Sequence, residues 1–167
     1  MSKRSQWTIF YLLPVLLWMS LVFTASTESG DDKHTRGLIL QVFTFFMPNQ
    51  VHSWSPTTVD AVDFYTRKTA HVTEYLVLTL LAVRAAQFLL PQQKRRAAYL
   101  AWCIGFLYAC TDEYHQTFVP TRTGQFKDVL VDSIGITLAL GCVLLWIRRQ
   151  PHSPSIQSTK GDSTHAS

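Results

Sequence analysis

The chain is 167 residues long, the size of one domain, yet only 16% of it is charged, against roughly a quarter in soluble domains. Its surplus of four positive charges is small and forms no basic stripe, which excludes the electrostatic footprint of a nucleic-acid binder. Three cysteines (Cys103, Cys110 and Cys142) without a Cys-x-x-Cys pair exclude a disulfide framework and a zinc ribbon; each falls in an apolar run and reads as a small packing residue.

Hydrophobic residues make up 47% of the chain, with ten Phe, six Tyr and five Trp, and they come in long runs. The first run, 7–23, follows Lys3 and Arg4 as a signal peptide would. It is long for a signal core, however, and Phe23 spoils the small-residue cleavage pattern before Ala25. It therefore reads as a first transmembrane helix, with Pro14 tolerated inside it. A polar stretch follows, with Glu28, Asp31, Asp32, Lys33 and Arg36. Within it Leu38 to Met47 is apolar but too short for the roughly 20 residues a crossing needs, so an amphipathic surface helix or a re-entrant piece is expected there. Ser55-Pro56 reads as a helix start, and Asp63 and Arg67 stand one turn apart, able to pair.

Further spans are expected over 69–90, 98–116 and 129–147. Pro91 and the Lys94-Arg95-Arg96 turn separate the second from the third, and Arg148-Arg149 ends the fourth. The expected fold is thus all-α, a polytopic membrane domain over 1–149 with four transmembrane helices and a short segment in the first outer loop. The Ser-, Thr- and Pro-containing tail, 150–167, is expected to be disordered. Lys3/Arg4, Lys94/Arg95/Arg96 and Arg148/Arg149 all fall on one side of four spans, which the positive-inside rule makes cytoplasmic, with both termini in.

Counting about 20 residues from that inner side brings His71, Gln116 and Asp128 to the same outer depth. His71 and Glu74 lie one turn apart on the second span. Asp112, Glu113, His115 and Gln116 close the third, Asp128 and Asp132 open the fourth, and Arg67, Lys68 and Arg122 sit just above. Small residues share the acid-bearing faces: Gly135, Ala139 and Cys142 below Asp128 and Asp132, and Gly105 and Ala109 below Asp112 and Gln116. The polar faces therefore point into the bundle, and one polar site shared by three helices is expected.

Three segments carry a family resemblance: Arg67-Lys68-Thr69-Ala70-His71-Val72-Thr73-Glu74-Tyr75, Asp112-Glu113-Tyr114-His115-Gln116-Thr117-Phe118-Val119-Pro120-Thr121-Arg122, and Asp128-Val129-Leu130-Val131-Asp132-Ser133-Ile134-Gly135. Together they resemble the VanZ-like membrane proteins over roughly 19–145, with Thr121 standing where the pattern leads to glycine. The resemblance implies a bacterial integral membrane protein, in a family whose founding member is associated with teicoplanin resistance.

The leading functional expectation is a cell-envelope protein that binds or shields a lipid-linked or lipid-tailed anionic ligand at the outer leaflet. Guanidinium groups suit bidentate phosphate binding, so Arg67, Lys68 and Arg122 would hold the anion. His71, Glu74, Asp112, Glu113, His115, Gln116, Asp128 and Asp132 would build the site around them. One alternative is an enzyme acting on such a lipid, with His71, Glu74, Asp112, Glu113 and His115 as candidate acid/base groups. Another is a small proton-coupled transporter using the acids as a relay. No cofactor is expected. The weaker metal reading rests on His71, Glu74, Asp112, Glu113 and His115, without a His-Glu-x-x-His spacing.

Overall fold

The computed structural model describes residues 3–27, 32–120, 122 and 124–150. Thr121 and the expected tail beyond Gln150 lie outside them. Among the described residues every regular element is an α-helix: α1 (Lys3–Thr27), α2 (Asp32–Phe46), α3 (Pro48–Val51), α4 (Pro56–Leu89), α5 (Lys94–Gln116) and α6 (Phe126–Arg149).

The helix α1 is apolar on all sides and passes through Pro14 without a break. Leu16, Leu17 and Phe23 face outward, as lipid-facing residues do. Its few hydroxyls satisfy themselves locally: Ser20 donates to the Leu16 carbonyl at 2.9 Å and Thr27 to that of Phe23 at 2.7 Å. Aromatic contacts fix its direction. Tyr11 stacks on Phe88 at 4.4 Å, the Trp18 indole donates to the Glu74 carbonyl at 3.0 Å, and Phe23 packs on His115 at 4.4 Å. α1 thus runs antiparallel to α4 and along α5.

α4 and α6 run in the same direction. Lys68 pairs with Asp128, His71 meets Asp132, and Gly135 lies under the Val72 carbonyl, three successive rungs descending both helices. α5 brings the chain back between them, and the Lys94 ammonium donates to the Gln150 side chain at 2.6 Å where α6 ends. Small residues permit this closeness: Ala97, Ala98, Ala101, Gly105 and Ala109 of α5 and Gly135 and Ala139 of α6 are buried. Tyr75, Leu78 and Ile136 fill the centre. The expected faces are confirmed down to Ala139. Cys142, however, is exposed with Val143 buried in its place, and Cys103 also faces outward, so two of the three cysteines are not core packing residues.

One expectation is narrowed. Among the described residues three helices, not four, are long and apolar enough to cross a membrane by length and composition: Gln6–Thr27, Pro56–Leu89 and Phe126–Arg149. α5 has 23 residues, but it opens on Lys94-Arg95-Arg96 and closes on Asp112 and Glu113, which dilute its apolar middle. At the other extreme, α4 has 34 residues and extends about 51 Å, well beyond a hydrocarbon core of about 30 Å. Its first turns continue the helix above the apolar part.

Leu38 to Met47 lies mostly within α2, which Pro48 separates from the short α3. α2 is held to the first turns of α4 by Arg36 and Asp60 at 2.8 Å, with Phe45 and Phe46 exposed. α4 starts as expected: Pro56 occupies its first turn and the Ser55 hydroxyl accepts from the Thr58 amide at 3.2 Å. Ser55→Ala should cost about 1 kcal/mol of stability in thermal unfolding, the usual value of such a cap.

Candidate functional site

The polar residues expected to converge do so at one end of the bundle, and local sequence explains how each is held. On α4, Lys68, His71 and Tyr75 recur at three and four residues and face α6. His71 Nδ1 lies 3.6 Å from Asp132 Oδ1, within ion-pair reach but longer than a hydrogen bond. Asp132 is fully buried, with Glu113, Asp112, Asp128 and Glu74 as its charged neighbours, and neither of its oxygens receives a hydrogen bond. The Tyr75 hydroxyl lies beside Asp112.

On α5, Gln116 is buried and its amide donates to Asp112 at 3.1 Å and to Glu113 at 3.2 Å. The second Glu113 oxygen accepts the Gln125 amide at 3.0 Å. Gly124 makes that return possible: a Cβ there would stand 2.2 Å from the Glu113 carbonyl oxygen. The turn into α6 is thereby drawn against the end of α5, which seats Asp128 beside Lys68.

The three cations form the rim. Arg67 pairs with Asp63 at 2.8 Å as expected, and Lys68 pairs with Asp128. Arg122 donates to the Ala25 carbonyl at 3.2 Å, tying the end of α1 to the site, and is an electrostatic neighbour of both His71 and Glu74. His115 is placed differently from its neighbours. Its ring packs on Phe23 of α1, while Asp112, Glu113 and Gln116 are buried. Among the described residues no three His, Cys, Asp or Glu side chains are arranged to hold a metal ion, so His71, Glu74, Asp112, Glu113 and His115 do not assemble as ligands.

Beside the acids, a cleft of ≈ 570 Å³ runs between α1 and α4, lined by Trp18, Tyr65, Thr66, Thr69, Ala70, Thr73 and Glu74. Arg67 shares the helix face of Ala70 and Glu74, one and two turns along. Sequence reasoning missed Tyr75 and Trp18. Tyr75 was detectable from its offset of four from His71. Trp18 was not, because its role depends on which helix α1 meets.

The model of the VanZ/LLP1 family matches residues 10–147, which take in most of α1, all of α2 to α5 and nearly all of α6. The chain belongs to the VanZ/LLP1 family. Comparison with curated proteins and with solved structures gives no match. In this VanZ/LLP1 protein the three segments that carried the resemblance supply the rungs between α4 and α6, the Gln116 bridge and the rim arginines. Its apolar helices and its family together make it a membrane protein.

The arrangement offers two kinds of chemistry. A rim of Arg67, Lys68 and Arg122 can exchange its present acceptors for an anion. Beneath it, a histidine faces a buried carboxylate whose oxygens hold no donor, a place where a proton can be taken or given.

Proposed function

We propose that residues 1–149 form one envelope membrane domain crossing four times, which binds or shields a lipid-linked anionic ligand at the outer leaflet. The fourth crossing is α5. α4 and α6 are parallel and joined by little besides α5, so α5 carries the chain back across the thickness they span; its 23 residues extend about 35 Å, enough to do so. The end bearing Lys94, Arg95, Arg96, Arg148 and Arg149 is cytoplasmic by the positive-inside rule, with both termini and the tail on that side.

The observation that carries the ligand reading is that Glu74, in the wall of the α1–α4 cleft, has Arg122 as a charged neighbour and shares its helix face with Arg67. Apolar and hydroxyl side chains suit a lipid tail, and Arg67, Lys68 and Arg122 suit its phosphate or other anionic head. A lipid-tailed glycopeptide or a polyprenyl-phosphate-linked wall precursor has this chemistry, which connects the site to glycopeptide tolerance.

Mass spectrometry of lipids that co-purify with the full-length protein tests this. Wild type should carry an anionic lipid that Arg122→Ala retains about ten-fold less, as expected for loss of a charge-assisted contact. Identical lipids on both proteins would remove the proposal's support.

A second reading is favoured by the His71–Asp132 pair: an enzyme or proton-coupled carrier in which these two handle a proton. It predicts conversion of the bound lipid, or flux driven by a pH gradient in proteoliposomes. Binding alone predicts neither.

A further inference from the structure

The opposite end of the bundle holds a second charged site that the ligand reading does not use. No Asp or Glu occurs between Tyr75 and Thr111, nor between Ser133 and Gly161. Yet α4 carries Arg84 within this acid-free region, five residues before its end at Leu89, about 8 Å inside the helix terminus. An arginine on an apolar crossing is costly unless something compensates its charge. Among the described residues no carboxylate pairs with it. Its guanidinium instead lies 4.9 Å from the Phe10 ring and 4.6 Å from the Tyr11 ring, contacts that hold its orientation without neutralising it.

The position it is held in is the wall of a cleft of ≈ 450 Å³ between α1, α4, α5 and α6. Arg84, Gln87 and Lys94 supply its polar lining, and Tyr11, Phe88 and Trp146 its aromatic walls. The Gln87 amide nitrogen is buried there with no acceptor. Lys94 rests 5.7 Å from the Trp146 ring and donates to the neutral Gln150, and among the described residues no carboxylate pairs with it. Two cations, an amide donor lacking an acceptor and an interfacial tryptophan and tyrosine surround one opening, next to Arg95, Arg96, Arg148 and Arg149.

We propose that this cleft binds the phosphate of an anionic phospholipid headgroup, with Arg84, Lys94 and Gln87 as donors and the acyl chains leaving along α1. Basic pockets between transmembrane helices near a basic membrane surface take such headgroups. The bilayer is the source, because Arg84 lies below the ring of terminal arginines and reaches the headgroup layer by extending toward it. The site is separate from the rim of Arg67, Lys68 and Arg122.

The test is native mass spectrometry of the full-length protein in detergent supplemented with equal amounts of phosphatidylcholine and phosphatidylglycerol. Wild type should retain phosphatidylglycerol about five-fold over phosphatidylcholine, and Arg84→Gln should bring the ratio to about one. Arg36→Gln, whose cation pairs with Asp60 outside both the rim and this cleft, should keep the wild-type ratio. Parity in the wild type, or an unchanged preference in Arg84→Gln, overturns the proposal. So does loss of bound phosphatidylglycerol to excess inorganic phosphate, which would make free phosphate the ligand. Should Arg84→Gln not fold, Lys94→Gln is expected to reduce the ratio in the same direction, and the wild-type ratio decides alone.

Discussion

Gly135→Ala should largely abolish recovery of monodisperse protein. The added Cβ would stand 2.0 Å from the Val72 carbonyl oxygen and 3.0 Å from the Leu76 nitrogen, both backbone atoms that cannot rotate away. α4 and α6 must separate, and the Lys68–Asp128 and His71–Asp132 rungs above separate with them. Inserting one carbon into a packed core costs about 1–3 kcal/mol when side chains can adjust; here only backbone can, so the loss should reach or exceed the top of that range. Gly141→Ala, six residues along the same helix, is the control. A Cβ there meets nothing within 4 Å, so its yield and melting temperature should match wild type. Equal behaviour of the two variants, by size-exclusion chromatography and thermal unfolding in detergent, would mean that the close α4–α6 contact does not exist.

Asp132→Asn should separate stability from function. The carboxyl is fully buried, both oxygens lack a donor, and three other acids stand near it on α5 and α6. A buried polar group without partners costs about 1–3 kcal/mol, and a side-chain amide here brings donors to a place surrounded by carboxyl oxygens, which offsets the loss of the 3.6 Å approach to His71. The neutral isostere should therefore melt no lower than wild type, and up to about 1 kcal/mol higher in stability. If the histidine–aspartate pair handles a proton, turnover or flux should fall at least about a hundred-fold, the usual contribution of a positioned acid or base. Under the binding reading, the lipids retained should change little. A clear drop in melting temperature would show that the His71–Asp132 contact holds the helices together, and that the carboxylate is structural.

These two variants test links that sequence reading reached to different degrees. Gly135 stood out through its spacing from Asp128 and Asp132, because small residues at helical intervals in an apolar run have few uses besides close packing. Its partner, the Val72 carbonyl, had no signal of its own, since any residue presents a backbone oxygen. The convergence of His71, Glu74, Asp112, Glu113, Gln116, Asp128 and Asp132 followed from depth alone, as residues counted equally far along neighbouring helices from one end of the bundle reach the same level. His115 shows the limit of that argument. Depth placed it with the acids, while its ring packs on Phe23 of α1, a matter of rotation about the helix axis.

Arg84 shows the same limit from the other side. It is the only charged residue on α4 after Glu74, a signal that sequence reading passed over, but that it stacks on Tyr11 and walls a cleft depended on where α1 docks. The proposed fourth crossing, α5, is a related case. Hydropathy averages residues, so the acids and bases at the two ends of α5 outweigh its apolar middle, while the parallel course of α4 and α6 leaves the return path to α5 alone.

What the amino-acid order determined by itself was everything governed by transfer between water and lipid: an all-helical membrane chain, apolar runs ending at Pro91 and Arg148, and a polar end opposite a basic one. The family likeness was also legible there, because it resides in short segments of consecutive residues. Only the tertiary structure decided which polar groups pair between helices. Asp128 took Lys68, and Asp132 was left facing His71 without a donor. The physical reason is range. Burial in a bilayer is set by a residue's own chemistry and its position in a run, whereas a hydrogen bond or an ion pair requires a few tenths of an ångström and the correct helix rotation, which packing of all the helices fixes together.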